Sequence, residues 1–205
     1  MAWKKRNLRL RELAEGLVKA GALQFGTFTL PGGVDSSYYV NLSGLPSYPG
    51  VYSLAVEAIS DTLTGKVPKV DAIGAAPVLG VIFGGPVAVA LKKPLIYTRL
   101  ERRENERLVV GEVRPGWNVV VVGDLSTSGR TVLSTAEAIE DEGGKVTSAV
   151  VLIDRLEGAR ERLSKKGIAL HAVTDMVELA DALYSMELIS TENMKAITRT
   201  VGHRK

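Results

Sequence analysis

The fold is decided by residues 119–133, which read VVVVGDLSTSGRTVL. Four successive valines predict a buried strand over 118–122, because a strand covered on both faces is apolar without alternation. The strand is expected to end at Gly123 and Asp124, and small polar residues then lead into a helix over 131–142. Since ligands of open α/β sheets gather at the carboxyl ends of strands, this segment predicts a binding site as well as a fold.

Segments of the same kind lie on both sides of this run. The other predicted strands are 71–75, 95–99, 148–154 and 168–173, and the predicted helices between strands are 80–91, 131–142 and 157–165. Strands that alternate with helices favour a mostly parallel sheet flanked by helices, which is an α/β, Rossmann-like architecture.

The rest of the chain is expected to complete a single domain over 1–205. Two further helices, 8–20 and 50–63, surround an irregular stretch at 25–49, and 176–201 predicts one or two amphipathic helices. We expect a small N-terminal piece at about 1–48, a core sheet at about 66–175 and C-terminal helices at about 176–205. A chain of this length is an ordinary size for one domain.

Composition excludes several classes of chemistry. The chain has no cysteine, which removes disulfides, thiolate nucleophiles and cysteine-ligated metals, and its only histidines are His171 and His203. With 45% hydrophobic residues and a net charge of +3, it is not disordered. No stretch approaches the ~20 apolar residues of a membrane span, and no apolar signal follows the basic start. We expect a cytoplasmic protein without membrane or nucleic-acid partners, in which the basic start is a solvated helix face.

The loop after the strand has the character of a phosphate-binding site. Hydroxyls and backbone N–H groups at a helix N-terminus attract anions, and the helix dipole adds to this attraction. A Walker A loop is excluded, because five residues separate Gly123 from Gly129 and Arg130 stands where that motif has lysine. No dinucleotide-binding glycine motif follows a strand either. A plain strand–helix turn with a Ser or Thr cap stays open as the simpler alternative.

The segment resembles the phosphoribosyltransferase signature, in which an apolar strand is followed by two acidic residues, two variable residues, Thr-Thr-Gly and a final hydroxyl. Asp124 matches the second acid, residues 127–129 match Thr-Thr-Gly, and Thr131 matches the final hydroxyl. Gly123 departs from the pattern. Within that superfamily, residues 20–30, 37–42, 48–49 and 150–160 are similar to orotate phosphoribosyltransferases, with IDRLEGAR at 153–160 the most specific match.

The resemblance implies a phosphoribosyltransferase-type sheet with a small N-terminal hood. It also implies transfer of ribose 5-phosphate from phosphoribosyl pyrophosphate (PRPP) to orotate, with Mg²⁺ carried by the substrate and not ligated directly by protein. A homodimer is implied as well. Asp124 and Arg103 are the implied catalytic residues, and Thr127 and Arg155 the implied contacts to orotate. The implied PRPP-binding residues are Arg99, Arg103, Asp124, Ser126, Thr127, Ser128, Gly129, Arg130 and Thr131.

Departures from the family pattern keep two alternatives open. Leu100 and Asn105 stand where the family has a lysine and a histidine, Pro31 stands where it has another lysine, and Arg103 replaces a further lysine. Losing one transition-state donor typically costs ~10²–10³-fold in rate. The chain could therefore be a catalytically impaired relative that binds PRPP or a nucleotide as a sensor or partner subunit. It could also be a transferase for another base.

Overall fold

The computed structural model describes residues 2–30, 34–101 and 106–202. In these residues the helices are α1 (Ala2–Lys19), α2 (Pro49–Lys66), α3 (Leu79–Leu91), α4 (Arg130–Asp141), α5 (Ala159–Ser164), α6 (Met176–Ser185) and α7 (Thr191–Gly202). The strands are β1 (Leu23–Leu30), β2 (Val34–Val40), β3 (Ala72–Ala75), β4 (Leu95–Thr98), β5 (Val109–Val110), β6 (Asn118–Ser126), β7 (Lys145–Asp154) and β8 (Ala169–Asp175).

The chain forms two compact units. The first, here called the terminal unit, comprises Met1–Ala55, Arg155–Glu157 and Thr174–Lys205. The second, the sheet unit, comprises Val56–Asp154 and Gly158–Val173. The short segment Arg155–Glu157 therefore groups with residues that are distant from it in the sequence.

The main sheet has six strands in the order β5-β4-β3-β6-β7-β8. Strand β3 runs parallel to both β4 and β6, and β6 runs parallel to β7. The predicted parallel sheet flanked by helices is thus confirmed. The two-residue strand β5, which pairs antiparallel with β4, escaped prediction because so short a run carries no periodicity.

Strand β6 is longer than predicted. Instead of ending at Val122 it continues to Ser126, because β7 beside it runs on to Asp154 and pairs with every part of this extension. Gly123 lies opposite Val151, and a Cβ at Gly123 would come within 3.3 Å of the Val151 Cγ1 atom. Asp124 and Ser126 are therefore strand residues, and the loop before α4 is only Thr127–Gly129.

The core of the sheet unit is apolar and tightly packed. Its buried cluster joins valines of β6 and β7 to α4 and α5, with Val121, Val151, Ile139 and Leu163 among its members. Helix α3 lies close to the sheet because Gly80 has no side chain, since a Cβ there would be 2.8 Å from the carbonyl oxygen of Val122. These contacts hold the carboxyl ends of β3 and β6 in register with the helices that follow them.

Helix α5 starts later than predicted. We expected a helix from Glu157, but α5 begins at Ala159. Leu156 has φ 60° and Gly158 has φ 91°, and both values lie in the left-handed region. Right-handed helix cannot pass through such residues, so Arg155–Glu157 forms a turn instead.

The terminal unit contains the antiparallel pair β1–β2 together with α1, α6 and α7. An ion pair with two hydrogen bonds, 2.9 and 3.0 Å long, joins Arg6 of α1 to Glu178 of α6. Asp175 caps α6 by accepting hydrogen bonds from the backbone N–H groups of Val177 and Glu178. None of the described helices is long and apolar enough to span a membrane.

A buried carboxylate at the end of β7 depends on one arginine. The Asp154 side chain is 1% exposed and accepts a hydrogen bond of 2.7 Å from Arg160 Nε, and Arg160 also donates to the carbonyl oxygen of Leu170. Arg160→Ala leaves the buried charge of Asp154 without this guanidinium, and we expect the substitution to lower the free energy of unfolding by about 2 kcal/mol. This loss is smaller than that for a fully buried ion pair, because Arg160 is half exposed. Urea unfolding measures the loss. The neighbouring Arg162→Ala is the control, and equal losses for both variants contradict the prediction.

Candidate active site

The N-terminus of α4 is open to an anion. Gly129, the residue before the helix, adopts φ 74°, and no side chain caps the helix. The N–H groups of the first turn therefore have no side-chain acceptor, and they carry the positive end of the helix dipole. The predicted phosphate-binding loop thus has the backbone geometry that an anion needs, and the simpler alternative of a Ser or Thr cap is excluded.

Gly129 meets two separate requirements. Its φ favours glycine, and a Cβ there would lie 3.2 Å from both the Cα and Cβ atoms of Ala159 and 3.3 Å from Leu163 Cγ. Helix α5 therefore packs directly against the loop and supports it from behind.

The hydroxyls of the loop differ in exposure. Thr127 and Ser128 are half-buried, and Thr131 is exposed. Ser126 is 1% exposed, and its Oγ has no hydrogen-bond partner in the described part of the chain. The accessible hydroxyls are therefore those of Thr127, Ser128 and Thr131, and Arg130 is exposed beside them.

Asp124 lies two residues before the end of β6, just ahead of the loop. Burial raises the pKa of its carboxyl above the usual value, and the backbone N–H groups of Leu125 and Asp124 oppose this rise. A carboxylate kept partly out of water has few competing hydrogen bonds from solvent. It is therefore available to a ligand that brings hydroxyl donors or positive charge.

Arg99 follows the last residue of β4. Its Nη2 lies 3.3 Å from Glu106 Oε2, with both side chains about one-third exposed, and its backbone N–H donates to the carbonyl oxygen of Leu108. The guanidinium is thus engaged by an internal carboxylate. Arg103, together with the departures at Pro31 and Asn105, lies outside the described residues.

A second helix N-terminus opens at the same edge of the sheet. Strands β3 and β6 are adjacent and parallel, so α3 and α4, which follow them, begin at one edge. Helix α3 also lacks a side-chain cap, and Val78 before it is 56% exposed. The peptide bond between Pro77 and Val78 is cis. Two neighbouring uncapped N-termini favour a ligand with two anionic groups.

Arg155, the first residue after β7, belongs to the terminal unit and is 2% exposed. Its Nε lies 2.9 Å from Glu157 Oε1, and its guanidinium carbon lies 4.7 Å from the centre of the Tyr38 ring. Sequence reasoning missed both neighbours. Glu157 was expected inside a helix, and Tyr38 is 117 positions away in the chain, so neither contact leaves a local signal.

The chain matches the family model described as "Phosphoribosyl transferase domain" over residues 50–178. It is 40% identical to the orotate phosphoribosyltransferase of Methanopyrus kandleri, with 83% of this chain and 93% of the relative covered. It is 34% identical to the orotate phosphoribosyltransferase of Cenarchaeum symbiosum, with 88% and 92% covered.

Similarity to solved structures extends over the same length. The crystal structure of orotate phosphoribosyltransferase from Aeropyrum pernix superposes with a TM-score of 0.75 at 31% identity, covering 87% of this chain and 99% of that one. The likeness thus extends over most of both chains.

Proposed function

This chain belongs to the orotate phosphoribosyltransferase family of pyrimidine biosynthesis, and from that premise we propose that it is a working enzyme of de novo synthesis. A ring nitrogen of orotate gives up its proton to water and attacks the anomeric carbon of PRPP, the bond from that carbon to pyrophosphate oxygen breaks, and orotidine 5'-phosphate and pyrophosphate leave. The similar proteins give no support to the alternative of a non-catalytic sensor, which rests on the departures from the family pattern alone.

The observation that carries this proposal is the uncapped N-terminus of α4 directly after the strand that bears Asp124. The backbone N–H groups of Arg130 and Thr131 and the hydroxyls of Thr127, Ser128 and Thr131 hold the 5-phosphate. Ser126 and Gly129 complete the proposed PRPP-binding set, although the hydroxyl of Ser126 is itself buried. The site is preorganised, because α5 packs behind Gly129.

Asp124 accepts hydrogen bonds from the ribose hydroxyls and faces the positive charge that develops on the ribose. Fixed groups aimed at developing charge supply a large part of many rate enhancements, since they need no reorganisation during the reaction. The burial that raises the pKa of Asp124 supports this role, because a partly desolvated carboxylate interacts more strongly with a nearby cation.

The leaving pyrophosphate needs positive charge. We propose that Arg99 and Arg103 bind it beside the N-terminus of α3, and that Arg99 exchanges Glu106 for the phosphate oxygens. No three His, Cys, Asp or Glu residues form a metal cluster in the described part of the chain. This donor set fits Mg²⁺ held by substrate oxygens and water, without direct ligation by protein. When bound, Mg²⁺ neutralises charge on the leaving group.

Arg155 is proposed to bind the carboxylate of orotate, and Thr127 to contact its ring. The planar guanidinium presents paired donors that match a carboxylate. Support comes from Arg155 Nη2, which is buried and has no hydrogen-bond partner among the described residues. A substrate carboxylate supplies the missing acceptor.

A cytoplasmic homodimer is proposed as the working form. Helix α3 contains no polar side chain, and Val89 near its end is 80% exposed. An entirely apolar helix with exposed residues supports burial of this helix against a second copy of the chain. Analytical ultracentrifugation tests the proposal by measuring the mass of the protein in solution.

The test of the proposed function is a steady-state assay with Mg²⁺, PRPP and orotate, following the loss of orotate absorbance. We expect turnover with orotate and none with adenine or guanine, because purines carry no carboxylate for Arg155. Binding of PRPP by calorimetry without turnover on any base overturns the proposal and favours a binding protein. Turnover with a purine instead of orotate assigns the enzyme to another base.

A further inference from the structure

The surroundings of Arg155 contain two residues that the proposed function leaves unused. Tyr38 is fully buried, and Glu157 has only 9% of its side chain exposed. Together with Arg155 they form a cluster inside the terminal unit, here called the arginine holder. Burying a guanidinium costs free energy unless the group is paired, so the neighbours of Arg155 determine whether it is stable in this place.

Backbone geometry brings Arg155 and Glu157 together. Arginine and glutamate two residues apart are within reach of one another, and the left-handed backbone of Leu156, φ 60°, bends the chain between them. This conformation is unfavourable for leucine, and such strain tends to persist where the surroundings enforce it at functional sites. The result is a 2.9 Å contact between Arg155 Nε and Glu157 Oε1.

Tyr38 restrains the guanidinium in a different direction. Its ring faces the guanidinium at 4.7 Å, which is a cation–π distance. Glu157 pairs with one edge by charge and the ring covers one face, while neither Nε nor Nη2 has a hydrogen-bond partner in the described residues. The plane and the rotation of the guanidinium are thus both restricted, and an unused donor is left.

We infer that Tyr38 and Glu157 are positioning residues that hold Arg155 in one orientation for the carboxylate of the substrate. Ordering a flexible side chain on binding lowers affinity, and a guanidinium ordered beforehand avoids that loss. The inference rests on the proposed function, because it takes Arg155 as the contact to orotate. It adds that selectivity for a 6-carboxylated pyrimidine depends on residues that do not touch the substrate.

The test compares two nucleotides that differ only by this carboxylate, namely orotidine 5'-phosphate and uridine 5'-monophosphate. Calorimetry on the full chain gives a dissociation constant for each nucleotide. The selectivity ratio, which is the dissociation constant of uridine 5'-monophosphate divided by that of orotidine 5'-phosphate, measures recognition of the carboxylate without requiring turnover. We expect Glu157→Ala to weaken the binding of orotidine 5'-phosphate about threefold to tenfold, which is the change in affinity that ordering one arginine side chain produces. Binding of uridine 5'-monophosphate should stay within about twofold.

Matched variants separate positioning from folding. Glu157→Gln keeps the size of the side chain and an oxygen beside Nε, and it should lie closer to the wild type than Glu157→Ala. Tyr38→Phe keeps the ring and should keep the ratio, whereas Tyr38→Leu should lower it. Glu161→Ala, an exposed change on α5, should leave both constants unchanged. Thermal melting of each variant identifies any that fail to fold, in which case Glu157→Gln and Tyr38→Phe decide.

Each outcome has one meaning. A lower ratio in Glu157→Ala supports positioning, whereas equal weakening of both nucleotides, or of neither, overturns it. Arg155→Ala tests the premise in the same assay. If Arg155→Ala brings the ratio to about 1 while Glu157→Ala leaves it unchanged, only the positioning inference fails. If Arg155→Ala leaves the ratio intact, the proposed contact between Arg155 and the carboxylate fails as well.

Discussion

Asp124→Asn is expected to lower kcat about 10²–10³-fold, the usual loss when one group that stabilises transition-state charge is removed. Asparagine has nearly the same shape and still accepts hydrogen bonds from ribose hydroxyls, but it has no charge to face the developing cation. The KM for orotate should change little, because the proposed contacts to the base are Arg155 and Thr127. Steady-state kinetics with both substrates measure the separate effects on kcat and on the KM for orotate.

The same substitution should not destabilise the protein at neutral pH. Burial raises the pKa of Asp124 above its value in the unfolded chain, so the native state binds more protons in the window between the two pKa values. Stability therefore falls as pH rises through that window, and at pH 7 the ionised group carries the full desolvation cost. Asp124→Asn removes this cost and should be at least as stable as the wild type at pH 7. The difference should vanish only below about pH 3, which is under the pKa of about 3.9 in the unfolded chain, because Asp124 is then protonated in both states.

Glu140→Gln is the control for this pair of measurements, because Glu140 is an exposed carboxylate on α4. It should leave kcat and the pH dependence of unfolding unchanged. An unchanged kcat in Asp124→Asn contradicts the role of Asp124. A marked loss of stability at pH 7 contradicts the desolvation argument separately, since it means that the carboxylate is held by favourable contacts.

Arg155→Ala should raise the KM for orotate about 30-fold or more, with a far smaller effect on the KM for PRPP. Truncating one partner of a buried, hydrogen-bonded charge pair typically costs about 2–5 kcal/mol. Arg155→Lys should also be impaired, because an ammonium cannot match a carboxylate with paired donors. Initial rates at saturating concentrations of the second substrate give each KM.

Removing Arg155 alone leaves Glu157, nearly buried, without its counter-ion, which threatens folding independently of binding. The double variant Arg155→Ala with Glu157→Ala removes both charges and is the control for that effect. If the folded double variant binds both substrates as well as the wild type does, or loses both equally, Arg155 does not face the base.

The fold was predictable because its signals are local. The valine run of β6, the apolar segments of β3, β4 and β7, and the helices between them each carry their own periodicity, and alternation then leads to a parallel sheet. The boundaries were less predictable. Residues 123–126 contain glycine, aspartate and serine around a single leucine and have little strand character of their own. They extend β6 because β7 supplies pairing partners as far as Asp154.

The candidate site was predictable to the same degree. Asp124, the loop at 127–129 and Thr131 are contiguous in the sequence, so a motif identifies them together. The internal pairing of Arg99 with Glu106 depends on where a loop returns to the sheet, which no local pattern encodes.

By itself, the sequence determined the class of fold, the position of the loop that we propose to bind phosphate and the residue types available for chemistry. These follow from periodicity, from composition and from residues that are adjacent in the chain. Only the tertiary structure decided that Ser126 is buried, that helix begins at Ala159 and that Arg155 lies between Tyr38 and Glu157. The physical reason is that burial and long-range pairing depend on which distant segments meet, and the left-handed backbone at Leu156, which no local preference of leucine favours, is maintained only by those contacts.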